Sequence, residues 1–205
     1  MKDRNLLLIF TRNPELGKCK TRLAATIGDY AALEVYTVLL EHTASITKNL
    51  TATKEVHYSV KIGENDIWNP NIYSKKQQEG EDLGIRMYNA FSNGFKAGYT
   101  NIIIIGSDVY DINQLDIENA FNALKTHEYV VGPAEDGGYY LLGMKSLNPK
   151  VFTNKSWGTS TVLQDTLRDL QETNIKLLEE RNDIDYYEDI KDISVFRHLL
   201  NYQND

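Results

Sequence analysis

The sequence predicts an α/β protein built on an open sheet whose central strands are buried on both faces. The run Ile102–Ile105 has no polar alternation, which is typical of a central parallel strand, and Asn5–Phe10 shows the same pattern. β-branched residues favour a strand over a helix in such short runs. Apolar residues at helical spacing follow the first strand, at Tyr30–Leu50. In an open α/β sheet, ligands bind at the carboxyl ends of the strands.

The other elements follow from hydrophobic periodicity and from start signals. Further strands are predicted at Glu55–Ile62, Ile72–Ser74, Tyr129–Gly132, directly after Gly138, and Ile175–Leu178. Further helices are predicted from Leu83 to near Gly98, at Gln114–Lys125, after an opening at Trp157, and in a last helix packing through Ile190, Ile193, Phe196 and Leu200.

Composition limits the class of protein. The 205 residues predict one domain spanning residues 1–205, long enough to bury a core. A net charge of -7 without any Lys/Arg-rich run argues against a nucleic-acid partner. The sequence shows no signal-peptide pattern, no apolar run of about 18 residues and a single cysteine, so we expect no membrane span and a cytoplasmic location. The oligomeric state stays open.

A basic loop follows the first strand. Arg12, Lys18, Lys20 and Arg22 lie close together beside Gly17, although the chain as a whole is acidic. Arginine forks and mobile lysine charges suit a polyphosphate, so these five residues are candidate phosphate ligands. The segment is not a Walker P-loop. A solvated basic turn explains the same pattern.

A second candidate site begins at the carboxyl end of the isoleucine strand, where Gly106 is followed by Ser107 and Asp108. A carboxylate on a rigid strand end can hold a metal that in turn holds phosphate, and the Ser107 hydroxyl can contact the same phosphate. Alternatively, Asp108 caps the next helix.

A second acidic motif, Glu135-Asp136-Gly137-Gly138, precedes another strand. Asp108 and one of these two carboxylates could share one Mg²⁺, which prefers carboxylate and phosphate oxygens. A tight hairpin turn accounts equally well for the Asp-Gly pair.

Two further segments have a functional and a structural interpretation. Gly80 and Asp82 lie in a loop at a predicted helix start, where they could contact a nucleotide or an acceptor, although acidic residues there also suit the helix dipole. Asp185 with Glu188 fits a helix capping box, which we prefer to a catalytic role for that pair.

Taken in order, these motifs resemble a known family, the bacterial glycosyltransferase-A-like proteins often named for arsenosugar biosynthesis, which are similar to phospholactate guanylyltransferases. The resemblance covers nearly the whole chain. It rests on Leu7, Ile9, Phe10, Pro14, Gly17, Lys20–Leu23, Asp82–Gly84, Arg86, Met87, Gly106–Asp108, Gly132–Tyr140, Trp157, Thr159, Asp183–Asp185, Glu188 and Asp189. Such sequences usually have a proline two residues after the aspartate, where this chain has Tyr110.

The resemblance implies a nucleotide-diphospho-sugar transferase fold of the GT-A, Rossmann-like type. This fold is a three-layer α/β/α sandwich with a mixed, mostly parallel sheet. The resemblance also implies a divalent metal, Mg²⁺ or Mn²⁺, bridging nucleotide phosphates with Asp108 as its ligand. We therefore expect Asp108, Asp136 and Lys20 to be the catalytic residues, with Glu135 as a further candidate metal ligand.

The leading hypothesis is a metal-dependent transferase that moves a sugar from a nucleoside-diphosphate sugar to a small-molecule acceptor. Nucleotidyl transfer is the alternative, in which a nucleoside triphosphate loses pyrophosphate to a phosphorylated or carboxylated acceptor. In both, the metal and the basic loop would stabilise the leaving group. A non-catalytic nucleotide-binding module is a further alternative, because a fold does not fix a function.

Overall fold

A seven-stranded mixed sheet forms the middle layer of the protein in the computed structural model, which describes residues 4–200. The strands are β1 (Asn5–Thr11), β2 (Thr53–Tyr58), β3 (Tyr73–Gln77), β4 (Asn101–Ile105), β5 (Tyr129–Pro133), β6 (Tyr139–Met144) and β7 (Ile175–Leu177). Their order across the sheet is β3-β2-β1-β4-β6-β5-β7. β6 runs antiparallel to both of its neighbours, and the other pairings in this sheet are parallel.

Helices cover both faces of the sheet. They are α1 (Thr21–Ile27), α2 (Asp29–Thr47), α3 (Leu83–Lys96), α4 (Gln114–Ala123), α5 (Val162–Asp169), α6 (Tyr187–Ile190) and α7 (Arg197–Leu200), with short 3₁₀ helices at Pro149–Phe152 and Ser194–Phe196. One core packs α1, α2, α4 and the C-terminal helices on one face, and a second core packs α3 and α5 on the other. The predicted three-layer α/β/α fold is therefore confirmed. Within residues 4–200, no helix is both long and apolar enough to cross a membrane.

The two central strands show why the sequence lacks polar alternation. In β4, Ile103 and Ile105 enter one core while Ile102 and Ile104 enter the other, so both faces are apolar. β1 lies beside β4 in parallel, with Leu7 paired to Ile103. The loops that leave β1 and β4 therefore start from the same edge of the sheet.

Three local predictions were wrong in their boundaries. The loop after β1 ends earlier than expected, because α1 begins at Thr21. β2 stops at Tyr58, and Ile62 beyond it is exposed. The predicted last helix is divided into α6, a 3₁₀ turn and α7, because Ile190 and Phe196 reach the core through separate short turns.

Candidate active site

Lys20 lies at the centre of a charged cluster at the carboxyl ends of β1 and β4. Its ammonium Nζ is 3.1 Å from Oδ2 of Asp108 and 3.0 Å from Oδ1 of Asp185. The Lys20 side chain is only 6% exposed, whereas the two carboxylates remain open to solvent on one side. The structure therefore brings together one predicted cation and one predicted carboxylate from separate loops.

The backbone before α1 positions Lys20. Lys20 itself precedes the helix with a φ of 47°, in the left-handed region that non-glycine residues rarely adopt. The preceding residue, Cys19, is buried, and its thiol donates to the Asn13 carbonyl at 3.2 Å. Leu23 in the first turn of α1 is also buried. This packing holds the loop so that Lys20 points inward.

The cluster shifts the pKa values of both partners toward the charged forms. Burial by itself would lower the pKa of Lys20, but the attraction of Asp108 and Asp185 outweighs it and raises that pKa above its ordinary value. Partial burial opposes ionisation of Asp108, but Lys20 outweighs it and lowers the pKa of Asp108. At neutral pH the site therefore holds a protonated amine beside an ionised carboxylate.

Arg22 joins the cluster through Asp185. Its Nη1 donates to Oδ2 of Asp185 at 2.9 Å, and its guanidinium lies 5.7 Å from the centre of the Tyr186 ring. The predicted capping box of Asp185 with Glu188 is wrong. The Asp189 carboxylate instead accepts from the backbone N–H groups of residues 185 and 186, which leaves the Asp185 side chain free to bind the two cations.

The other residues of the basic loop are placed differently. Lys18 is turned away from the cluster and pairs with Glu15 at 2.7 Å, with 73% of its side chain exposed. Gly17 lies in the exposed turn before it. Arg12 is exposed but close enough to Asp108 to help lower the pKa of that carboxyl. Arg12, Lys20 and Arg22 thus remain on the site side, and Lys18 does not.

Beneath Asp108 lies a buried hydroxyl cluster. Tyr36 Oη accepts the Arg12 backbone N–H at 2.8 Å and lies 3.1 Å from the Thr11 hydroxyl and 3.3 Å from the Ser107 hydroxyl. Ser107 also donates to Thr11 at 3.1 Å. Ser107 is buried and occupied by these partners, so its hydroxyl fixes the two strand ends to each other.

The adjacent residues Glu135 and Asp136 face different surroundings. Asp136 lines the pocket beside Asp108, and its Oδ1 accepts the Gly138 N–H at 2.7 Å. Glu135 instead lies near Asp111, whose pKa it helps to raise, although burial of Asp111 has the larger effect. Gly137 has a φ of 87°, and a Cβ there would overlap the Ser160 backbone, so the turn requires glycine.

The pocket beside Asp108 has a volume of about 240 Å³. Three carboxylates, those of Asp108, Asp136 and Asp183, line it. Most of its other lining side chains are apolar, among them those of Phe10, Leu83, Met87, Tyr139 and Trp157. The pocket is therefore a cleft that combines carboxylates with an apolar lining.

Asp183 is a site residue that no single motif in the sequence indicates, although it belongs to the motif set on which the resemblance rests. Burial and the nearby carboxylates Asp108, Asp136 and Asp185 raise the pKa of Asp183 from 3.8 to about 6, against a smaller opposing effect of Lys20. The backbone places it there, because the Ile184 N–H donates to the Asp108 carbonyl at 3.1 Å. Carboxylates with a raised pKa are enriched in functional sites.

Replacing Asp183 with asparagine should stabilise the protein at pH 8 and have little effect at pH 4. The native carboxyl holds its proton up to about pH 6 and the unfolded one only to about 3.8, so ionisation costs folding free energy above that window. The full difference corresponds to about 3 kcal/mol, which solvent screening reduces to about 1 kcal/mol. Urea denaturation at both pH values measures this. An Asp183→Asn variant less stable at pH 8 would contradict it.

The Gly80 and Asp82 loop has mainly structural contacts. Asp82 is the N-cap of α3, and its side chain accepts the Ile85 N–H at 2.8 Å. The Gly80 carbonyl accepts from Arg86 Nε at 2.9 Å, in an exposed turn. Neither residue lines the pocket beside Asp108.

The carboxylates fit a hard divalent cation only in combination with other ligands. Residues 4–200 contain no group of three His, Cys, Asp or Glu side chains placed to hold a metal ion by themselves. Asp108 and Asp136 nevertheless line the same pocket with oxygen donors. Mg²⁺ commonly binds through one or two carboxylates plus substrate phosphates and water, which matches this donor set.

Solved structures similar to this chain indicate the class of protein to which it belongs. A Desulfovibrio desulfuricans G20 protein provisionally named a nucleotide-diphospho-sugar transferase is 29% identical, with a TM-score of 0.84, over 98% of this chain and 95% of that chain. A Leptospira borgpetersenii cytidylyltransferase has a TM-score of 0.58 at 15% identity, over 90% of this chain and 80% of that chain. A 4-diphosphocytidyl-2C-methyl-D-erythritol synthase from Anaerococcus prevotii has a TM-score of 0.57 at 11% identity, over 98% and 96%.

The chain is a member of the nucleotide-diphospho-sugar transferase-like superfamily, which confirms the predicted superfamily and supports the predicted transferase class. More specifically, it belongs to the family described as "Uncharacterized protein conserved in bacteria (DUF2064)", whose model matches residues 39–159, more than half of the chain. No curated protein matches the sequence.

Proposed function

We propose that the protein transfers a sugar from a nucleoside-diphosphate sugar to a small-molecule acceptor. The observation that carries this proposal is the position of Lys20, buried between Asp108 and Asp185 where β1 and β4 end. A preorganised ammonium at this edge can bind a diphosphate and stabilise the charge that develops on it as it leaves. The similarity to the Desulfovibrio protein supports the choice of donor.

In this proposal Lys20, Arg22 and Arg12 bind the donor phosphates. Asp108 and Asp136 would hold Mg²⁺ or Mn²⁺, which supplies further neutralisation of the diphosphate when bound. The acceptor hydroxyl oxygen forms a bond to the anomeric carbon, and the bond from that carbon to the diphosphate oxygen breaks with its electron pair. Asp183, on the wall of the same pocket, accepts the hydroxyl proton.

Nucleotidyl transfer is a second candidate, because three cations of the basic loop face the site. The charge balance of the cluster argues against nucleotidyl transfer. Lys18 pairs elsewhere, and Lys20 and Arg22 are already balanced by Asp108 and Asp185. With Arg12 added, the cluster has three positive and two negative charges, a net excess of one. A triphosphate needs more neutralisation than a diphosphate, so this balance favours the diphosphate sugar.

The test is a donor panel. The protein is incubated with Mg²⁺, each common nucleoside triphosphate or nucleoside-diphosphate sugar, and a mixture of small acceptors, and products are read by mass spectrometry. Release of nucleoside diphosphate with a glycosylated acceptor supports the proposal. Release of pyrophosphate selects nucleotidyl transfer instead. Nucleotide binding without turnover across the panel would make the protein a binding module.

Replacing Tyr36 with phenylalanine should weaken nucleotide binding about tenfold, although Tyr36 does not line the pocket. The change leaves the Arg12 N–H and the Ser107 hydroxyl without this partner, so the two strand ends that carry the cluster lose their shared anchor. An unpaired buried donor also costs about 1–3 kcal/mol of stability. Calorimetric titration with nucleotide and urea denaturation measure the two effects.

Tyr73→Phe is a matched control. Tyr73 is also buried, and its hydroxyl bonds Thr47 at 2.8 Å and the Ala44 carbonyl at 2.9 Å, away from the cluster. We expect it to lose similar stability and to bind nucleotide like the unmodified protein. Equal loss of affinity in both variants would show that Tyr36 acts only through general stability.

A further inference from the structure

The pocket beside Asp108 has no positive charge on its walls. Within the described residues, the side chains that line it include the carboxylates of Asp108, Asp136 and Asp183 but no lysine, arginine or histidine. The cations of the basic loop do not line the pocket, and Lys20 instead contacts Asp108, which does line it. The site is thus divided into a cationic half and an anionic half that meet at Asp108.

The apolar lining of the pocket is packed and fixed in place. Met87 is buried, and its sulfur lies 3.8 Å from the Tyr139 hydroxyl. Trp157 is seated against α3 at Gly84, where a Cβ would come within 2.7 Å of its indole nitrogen. Tyr139 and Trp157 therefore present aromatic surface to the cleft from fixed positions. Aromatic side chains of this kind favour a ring or another apolar body.

The two halves suit different molecules. A polyphosphate fits the cationic half, because Lys20 and Arg22 can donate to it. A phosphate or carboxylate in the pocket would face the carboxylates of Asp108, Asp136 and Asp183, and like charges held a few ångströms apart in a partly buried site repel strongly. A divalent cation held by Asp108 and Asp136 would be balanced by those two carboxylates and by the donor phosphates, so it would leave no net positive charge for an anionic acceptor. An apolar body in the pocket would instead cover Tyr139 and Trp157 and gain from the water it displaces.

We propose that this pocket binds the acceptor, and that the acceptor is a molecule with a ring-bearing apolar body and a reactive hydroxyl but no phosphate or carboxylate group. This inference rests on the proposed function, which supplies the donor in the cationic half. It excludes the phosphorylated or carboxylated acceptors that the sequence alone left open. The selectivity follows from the charge on the pocket wall and not from the shape of the pocket.

Three ring alcohols that differ in charge test the pocket directly: benzyl alcohol, 4-(hydroxymethyl)benzoate and 4-(hydroxymethyl)phenyl phosphate. Binding is followed by fluorescence of Trp157, since Trp68 is only 1% exposed. We expect the neutral alcohol to quench the emission and each anion to bind at least tenfold more weakly. The quenching should vanish in Trp157→Phe. Equal or tighter binding of either anion, or no quenching by the neutral alcohol, overturns the inference.

A positive charge introduced at Leu83 gives a second test of whether charge controls binding in the pocket. Leu83 lines the pocket but is 42% exposed, so a polar residue is tolerated there. Leu83→Lys should bring the benzoate to at least the affinity of the neutral alcohol, whereas the uncharged control Leu83→Gln should not. Failure of Leu83→Lys to improve benzoate binding would overturn the inference.

The two proposals fail in different ways. These binding measurements need no donor, so they test the acceptor pocket even when the donor panel yields no turnover. Absence of turnover contradicts the proposed function alone. With an active donor, the KM of a neutral acceptor should rise at least tenfold in Trp157→Ala while the KM of the donor stays unchanged. A rise in the donor KM instead would place the donor in this pocket and overturn the acceptor assignment.

Discussion

Replacing Lys20 with methionine should reduce the rate of transfer about 10²–10³-fold, the usual effect of losing one preorganised charge at a leaving group. Methionine matches the aliphatic part of the lysine side chain but lacks the ammonium that contacts Asp108 and Asp185. Asp108 would then lose the ammonium that pairs with it, while Asp185 would keep its ion pair with Arg22. Steady-state kinetics at saturating donor measures the effect on the chemical step.

The same variant should lose stability. Breaking a fully buried ion pair costs about 3–5 kcal/mol. Here Asp108 and Asp185 are 39% and 29% exposed, so solvent screening lowers the expected loss to about 1–2 kcal/mol. Urea denaturation at pH 7.5 measures it, and activity is compared at a temperature where both proteins are folded.

Lys18→Met is the matched control, since it removes the same group from the same loop. Lys18 pairs with Glu15, and its side chain is 73% exposed. Its removal should change stability by less than about 0.5 kcal/mol and leave the rate near that of the unmodified protein. If the Lys18 and Lys20 variants lost activity equally, the basic loop would act as a diffuse charge and not through the buried ammonium.

The central sheet could be predicted because its signal is local. Ile102–Ile105 and Asn5–Phe10 are apolar at every position, which a strand needs only when both faces are covered. The basic loop and Asp108 could also be placed at one edge of the sheet, because parallel strands have their carboxyl ends at the same edge. The strand β6 was predicted from the sequence, but its direction stayed open. The hairpin turn considered for Asp136-Gly137 implies that β6 runs antiparallel to β5, as the structure shows, whereas the resemblance implied only a mixed sheet.

The composition of the charged cluster could not be read from the loop alone. Lys18 and Lys20 are equivalent in sequence, but the left-handed backbone at Lys20 turns one inward and leaves the other in solvent. Asp185 lies 165 positions after Lys20, and its local pattern suggested a cap. The capping box is instead shifted by one residue, with Tyr186 as the N-cap and Asp189 as its acidic partner. Contacts over such a separation depend on how the last segment packs, which local spacing does not encode.

The sequence also could not decide which of the adjacent carboxylates Glu135 and Asp136 enters the site. Both are carboxylates in one turn, and the sequence offered either as a partner for Asp108. The hydrogen bond from the Gly138 N–H to Asp136 holds that side chain on the pocket side, while Glu135 lies toward Asp111. Side chains of adjacent residues commonly diverge in a turn, and only the geometry of the turn decides which one enters the site.

Asp108→Asn should remove the dependence of nucleotide binding on divalent metal. The metal and the phosphate each neutralise charge that opposes binding of the other. Their binding is therefore coupled, typically by about 1–3 kcal/mol. In the unmodified protein, nucleotide affinity should therefore rise about 5–150-fold when Mg²⁺ replaces EDTA. An amide oxygen is a weaker ligand than a carboxylate, so this gain should disappear in Asp108→Asn. Calorimetric titration with and without Mg²⁺ measures it.

The stability of the same variant separates this role from a structural one. Asparagine removes one of the two carboxylates that hold Lys20, which costs free energy, but it also relieves the repulsion between Asp108 and Asp183. The two effects oppose each other, so the melting temperature should stay near that of the unmodified protein.

Arg22→Ala should behave differently, losing nucleotide affinity while keeping the gain from Mg²⁺, because Arg22 contacts Asp185 and not Asp108. Glu135→Gln is the matched control for lost charge and should keep both affinity and metal dependence. If Asp108→Asn kept its gain from Mg²⁺ while Glu135→Gln lost it, the metal would bind on the Asp111 side of the turn and the assignment of Asp108 would be wrong.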